Sequence, residues 1–174
     1  DILFYPNWNC DEVATLSHLT LTTGNHHLLF EFQGEEEDVT STATAEAFNA
    51  NITWDGGGAD ANWSTVANWS TNTVPTSADV AVFDGTCSSN CSPTINAAIN
   101  VLGISMNAGY AGTITQALGS SITVAIGSSG WTLAAGTFTG NNANITITDG
   151  SFNQSGGSFT APNATTSIER NFTV

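Results

Sequence analysis

The chain has 174 residues, of which 40% are apolar and only 9% charged. Its net charge of −14 reflects missing bases rather than abundant acids: there is no Lys, and Arg170 is the only Arg. A DNA duplex carries one phosphate charge per about 1.7 Å, so this chain is no partner for nucleic acid, nor for an anionic membrane; calcium or another cation is the charged ligand that this balance leaves open.

The length fits one domain, or one domain with an appendage. No run of about 18 apolar residues occurs, so membrane insertion is not expected. The chain opens on Asp1 rather than Met, as expected where a leader has been removed or a fragment cut out. Ser, Thr, Asn, Gly and Ala stand where charges usually do. Secreted, fibrous and surface proteins share that composition, so the expected location is extracellular or the cell surface.

Residues 1–50 hold nine of the 15 acids and all three His, which marks them as a separate segment. The opening DILFYP reads as a short extended piece, with Ile2, Leu3, Phe4 and Tyr5 as candidate subunit contacts and Pro6 as its stop. A hairpin follows. Leu19 and Leu21 alternate with polar residues, Thr23-Gly24-Asn25 supplies a turn, and Leu28, Phe30 and Phe32 alternate on the return. EEEDVTSTATAEAF, residues 35–48, with its acid run Glu35 to Asp38, is expected to be a solvated connector. A lone hairpin is marginal in water, so this one needs the rest of the chain or another subunit.

Residues 51–174 form the second unit. It begins with WDGGGADANWSTVANW, residues 54–69. Trp54, Trp63 and Trp69 admit two readings. They make a stacking platform for glycans, or they pack inside and cover the open end of a core. The packing reading is the stronger. Asp55 and Asp60 beside three Gly resemble a Gly-Gly-x-Gly-x-Asp calcium coil, but the spacing is one residue short and occurs once. No cofactor is therefore expected, with calcium the outside candidate.

VPTSADVAVFDG follows, and DVAVF is its first convincing strand. Cys87 and Cys91 in CSSNC are expected to bridge locally in an exported protein. Cys10 is then free, buried or joined to another chain, and a bridge from it to either partner is equally legal. His18, His26 and His27 show no zinc-like spacing to the cysteines.

The rest is a repeat. INVLGISMNAGYAG, residues 99–112, is a degenerate unit with Ile99, Val101, Ile104 and Met106 inward. GTITQALGSSITVAIGSSGW, GTFTGNNANITITDGSF and GSFTAPNATTSIERNF follow. Gly112, Gly136 and Gly157 open them. Ile114, Phe138 and Phe159 form one apolar column, Val124, Ile147 and Ile168 a second, and Trp131, Phe152 and Phe172 a third. A period near 21 residues with Gly, Asn and Ser corners suits one coil of a parallel β-solenoid, whose coils bury their columns only when stacked. A β-sandwich or jelly roll with evenly spaced strands is the alternative.

Eight Asn-x-Ser/Thr sequons are candidate N-glycosylation sites: Asn51, Asn62, Asn68, Asn90, Asn144, Asn153, Asn163 and Asn171. The last residues place Phe172 and Val174 on one strand face with no Gly stop, charged tail or cap. Proteins that stay monomeric usually blunt such an edge. Glu169 and Arg170 are expected to pair with each other or across an interface. The edge and the N-terminal segment together predict head-to-tail contact between copies of the chain, giving a homopolymer.

The order Trp-Asp-Gly-Gly-Gly, Asn-Trp-Ser, Ala-Asn-Trp-Ser, Val-Pro-Thr-Ser-Ala-Asp resembles a module of secreted bacterial surface proteins of the autotransporter-passenger and β-helical adhesin type. GSFNQSGGSFTAP is similar to their coils. The resemblance covers residues 52–174 and implies a Trp-Gly-Asn lead-in to a β-helix. That family usually carries many more coils.

Catalysis has little to work with. A lyase needs Arg or Lys, and only Arg170 is present. A glycosidase needs two carboxylates about 5–10 Å apart, and residues 51–174 offer only Asp55, Asp60, Asp79, Asp84, Asp149 and Glu169. No nucleophile triad or phosphate-binding loop appears. The expectation is an all-β chain: a short parallel β-solenoid over 51–174 with an N-terminal β-hairpin appendage over 1–50. Its expected role is a non-catalytic extracellular structural subunit that self-assembles into a filament or surface layer. A cell-surface adhesin or carbohydrate-binding module is the second reading.

Overall fold

A computed structural model describes residues 49–174. The expectations placed on Ile2, Leu3, Phe4, Tyr5, Cys10, the hairpin and the acid run lie outside the described residues.

Short alternating stretches rich in Thr, Ile, Val and Phe make strands here, and Gly, Asn and Ser end them. In chain order the strands are β1 (Ala50–Thr53), β2 (Asp79–Phe83), β3 (Thr94–Ile95), β4 (Ile99–Met106), β5 (Thr113–Gln116) and β6 (Val124–Leu133). They continue as β7 (Thr137–Thr139), β8 (Ile145–Ile147), β9 (Phe152–Gln154), β10 (Ser158–Thr160), β11 (Thr166–Ile168) and β12 (Phe172–Thr173). Among the described residues there is no α-helix, only a 3-10 turn at Val66–Asn68.

Every strand pairing is parallel. One sheet runs β1-β2-β4-β6-β8-β11, with β9 and then β12 continuing from the second half of β6. The other runs β3-β5-β7-β10. The chain passes from one sheet to the other and back, which makes a parallel β-solenoid of about four turns. Sandwich and jelly-roll topologies are antiparallel, so they do not describe it.

Stacked coils bury ladders of like residues. Ile114, Phe138 and Phe159 are register partners, as are Trp131, Phe152 and Phe172. The Phe138 and Phe159 rings stack at 5.2 Å, and Phe152 and Phe172 at 5.3 Å. Ile99, Val101, Ile104 and Met106 all point inward. One expected column is corrected. Val124 pairs with Ile99 and Ile145, whereas Ile147 and Ile168 stack under Ile126. The corner between β5 and β6 is two residues longer than the one between β7 and β8, and β5 is itself one residue longer than β7, so counting forward from the Gly lands on the wrong rung.

β1 is a strand that the sequence pattern did not reveal. It pairs with β2 in register from Ala50 to Thr53, with Ile52 buried and the small Ala50 packed partly buried on the same face. One Ala and one Ile give too short a period to read.

Candidate functional site

The Trp-Gly segment connects β1 to β2 by folding over the first coil. Trp54 and Trp69 face each other in an isolated antiparallel bridge. Their rings meet edge to face at 5.0 Å, and Trp63 packs on Trp69 at 4.7 Å. Phe83 lies against all three rings, and Tyr110 against Phe83. Trp54, Trp63 and Trp69 are 0%, 1% and 0% exposed, so none presents a face to a sugar. They are packing residues, and a stacking platform built from them does not exist at this surface. The Trp69 indole N–H donates to the Trp63 carbonyl at 2.8 Å.

Polar groups hold the loop around this cluster. Asn68 is fully buried. Its amide donates to the Asp60 and Asn62 carbonyls, each at 3.0 Å, and its Oδ1 accepts the Gly58 N–H at 2.9 Å. The Asp60 carboxylate accepts from the Asn62 N–H, the Asn62 amide and the Thr65 hydroxyl. The backbone bond from Asn62 leads these in holding the Asp60 carboxyl below the ordinary value.

Cys87 and Cys91 are bonded to each other, as the spacing predicts. The loop they close is keyed into the Trp segment by Asn90. The Asn90 amide donates to the Gly58 carbonyl at 2.8 Å and to the Gly56 carbonyl at 3.3 Å, and its carbonyl accepts the Trp54 indole N–H at 3.0 Å. Gly56 has φ +67°, and a Cβ there would overlap the Ser89 carbonyl, so only Gly lets the two loops touch. On the other side the Tyr110 hydroxyl donates to the Cys91 carbonyl at 2.8 Å. Burial pushes the Tyr110 phenol well above its usual range. Nothing in the sequence pattern singled out Asn90 for this role except its place inside CSSNC.

A recess of about 270 Å³ lies beside the disulfide, lined by Asp84, Cys87, Cys91, Tyr110 and Gly112 among others. Two of its side-chain polar groups already have partners. The Asp84 carboxylate accepts the Thr86 N–H and hydroxyl, and the Tyr110 hydroxyl is held by Cys91. The carboxylates of Asp55 and Asp60 likewise turn back on their own loop. Among the described residues no three His, Cys, Asp or Glu side chains converge as metal ligands do.

The sequons divide into classes. Asn68 and Asn90 spend their side-chain amides on the Trp segment, and Asn62 bonds to Asp60. Asn68 is thereby removed as a glycan carrier, because its amide nitrogen is buried and bonded twice. Asn51, Asn144, Asn153, Asn163 and Asn171 are exposed.

At the far end the last coil has neighbours on one side only among the described residues. β10, β11 and β12 each end their sheet. Phe172 is 62% exposed and Val174 78%. Glu169 and Arg170 do not pair with each other. Arg170 reaches one coil back to Asp149 at 3.1 Å, and Glu169 accepts the Asp149 N–H at 3.0 Å.

No family model, no curated protein and no solved structure matches this chain. The fold alone answers to the resemblance in the sequence: a Trp-rich lead-in followed by parallel coils.

Proposed function

We propose that this chain is a non-catalytic structural subunit of the cell exterior, which adds copies of itself head to tail. The observation that carries the reading is the edge formed by β10, β11 and β12. Its outer backbone donors and acceptors have no ladder partner among the described residues. Its apolar rung continues outward through Phe152 to the exposed Phe172. The three strands contain neither Lys nor Pro, the usual devices against strand addition. A strand laid on this edge gains main-chain hydrogen bonds and the exposed Phe172 ring to pack against. The proposed occupant is the apolar Ile2–Tyr5 stretch of the next copy. Such a contact is heterologous, so it propagates into a filament unless it closes a ring.

The Cys87–Cys91 bridge and the charge-poor composition support an exported location. The parallel coils and the WDGGG…NWS…ANWS module support kinship with secreted β-helical surface proteins. Burial of Trp54, Trp63 and Trp69 weighs against a carbohydrate-binding role through those rings.

Light scattering and negative-stain microscopy of the full chain test this. Mass that rises with concentration, filaments or sheets on the grid, and their loss in Phe172→Asp with an unchanged melting temperature are the expected results. A full chain that stays monomeric at millimolar concentration ends the proposal.

A further inference from the structure

The second sheet carries a surface that assembly through the last coil does not use. Its strands point alternate residues outward. Thr94, Thr115, Thr139 and Thr160 are successive register partners and form one outward column. Thr113, Thr137 and Ser158 form a second. Ser92 lies beside its end, outside β3, and its Oγ turns to the backbone to accept the Thr113 N–H at 3.2 Å. A column of four hydroxyls and a column of three result. The sequence displays them as the paired hydroxyls of GTITQ, GTFTG and GSFTA, flanking Ile114, Phe138 and Phe159.

The grid is regular and firmly seated. Its three pairings run without the register shift that interrupts β4 and β6. Ile95, Ile114 and Phe138, directly beneath, are fully buried. Ranks repeat at about 4.8 Å, and the two columns stand about 6.6 Å apart, twice the rise per residue of a strand. No charged residue occurs in β3, β5, β7 or β10, although the chain as a whole carries −14. No residue of the grid is buried: five are half-buried, and Ser158 and Thr160 are exposed.

These properties select a ligand. An uncharged face does not attract ions, and a face without aromatic rings does not stack sugars. A rectangular grid of neutral hydroxyls, each beside a methyl group on the threonines, matches a ligand that is itself a neutral lattice of hydrogen-bond donors and acceptors. Ice is such a lattice. On a prism face of hexagonal ice the oxygens repeat along two perpendicular directions with spacings close to those of the ranks and the columns. Water held on the hydroxyls and around the methyls then takes the repeat of the crystal and merges with it.

We infer that the outward face of β3, β5, β7 and β10 adsorbs to ice. An adsorbed protein pins the growing face, and ice must bulge between pinned points. The curvature lowers the freezing temperature and leaves the melting temperature of the crystal almost unchanged.

The test is nanolitre osmometry with ice-crystal imaging on the full chain. Three variants accompany it: Thr115→Lys and Thr139→Lys in the grid, and Thr146→Lys on β8 of the other sheet. Circular dichroism melts verify that each is folded. A gap between freezing and melting with faceted crystals is expected for the parent and for Thr146→Lys, and its loss for both grid variants at unchanged melting temperature. A folded parent that neither shapes ice nor delays its growth overturns the inference. So does equal loss in Thr146→Lys, or retention of the parent on crystalline cellulose but not on ice. None of these outcomes depends on whether the chain polymerises.

Discussion

The Asn90 carbonyl accepts the indole N–H of Trp54 at 3.0 Å, across 36 residues of sequence. The same residue sits at φ +47° and gives its amide to Gly56 and Gly58. Left-handed backbone is costly for most residues and cheap for Asn. The disulfide closes the loop that holds this conformation, so it acts as the clasp of the Trp segment. Closing a five-residue loop restricts the unfolded chain by about 2 kcal/mol. Reduction, or the double variant Cys87→Ser/Cys91→Ser, should lower stability by about that amount. Asn90→Ala should cost at least about 2 kcal/mol with the disulfide intact, because two carbonyls lose a donor and alanine must adopt the strained backbone. Urea unfolding with and without reductant checks both. If Asn90→Ala unfolds like the parent, the clasp is not there.

The two inner tryptophans should respond differently to the same change. Truncating either Trp63 or Trp69 to Ala should cost about 3–5 kcal/mol, since both rings are wholly buried. Replacement by Phe separates them. The Trp69 N–H serves the buried Trp63 carbonyl, whereas the Trp63 N–H has no partner among the described residues. Trp69→Phe leaves an acceptor orphaned and should cost about 1–3 kcal/mol more than Trp63→Phe. Calorimetry or denaturant melts of the four variants read the difference. Equal costs for the two Phe variants would show that the Trp69 bond contributes nothing.

The solenoid was legible because its coils repeat the same side chains at the same rung. Phe138 over Phe159, and Trp131 over Phe152 over Phe172, could be read off by counting. Val124 could not, because the corner at residues 117–123 inserts extra residues and a period carries no information about which corner is longer. β1 escaped because its inward face is only Ala50 and Ile52, too short a pattern to read, and the pairing of Arg170 with Asp149 because it joins adjacent coils rather than adjacent residues. The CSSNC bridge was local and therefore readable. The use that Asn90 makes of that bridge was not, since its partners lie more than 30 residues away.

Glycan occupancy should follow burial rather than the sequon pattern. A sugar on Asn68 would have to displace an amide bonded to two carbonyls inside the loop. Asn90 would lose its contacts to Gly56 and Gly58. Attachment before folding at either site blocks the Trp segment from closing. When the chain is secreted from a glycosylating host, the folded fraction should carry glycans among Asn51, Asn144, Asn153, Asn163 and Asn171, with none at Asn68 or Asn90. Glycopeptide mass spectrometry of the folded, disulfide-bonded material decides it. A folded species glycosylated at Asn68 would contradict the packing of the loop.

Gln116 is a polar side chain inside the solenoid, fully buried at the end of β5. It follows Ile114 by two residues, so it falls where the sequence would place an apolar rung. The corner after it explains the exception. The Gln116 amide nitrogen donates to the Ile122 carbonyl at 2.8 Å and the Ala143 carbonyl at 3.2 Å, while its oxygen accepts the Asn141 N–H at 2.8 Å. One side chain thus satisfies three backbone groups in the corners of two successive coils. Gln116→Leu is close in size but leaves all three unpaired, and each such group costs about 1–3 kcal/mol when water cannot reach it. Gln116→Glu keeps the acceptor and sets a carboxylate against two carbonyls. Both should be destabilised by more than about 2 kcal/mol. The Glu variant should recover part of its loss on acidification. Protonation restores one donor, and its carboxyl, raised by burial among carbonyls, takes up the proton above the ordinary Glu range. Melting temperatures of the two variants from pH 7 down to pH 5 give the answer: a Glu variant that gains on Leu as the pH falls is expected, and parallel curves would mean that Gln116 is not sealed inside the coil.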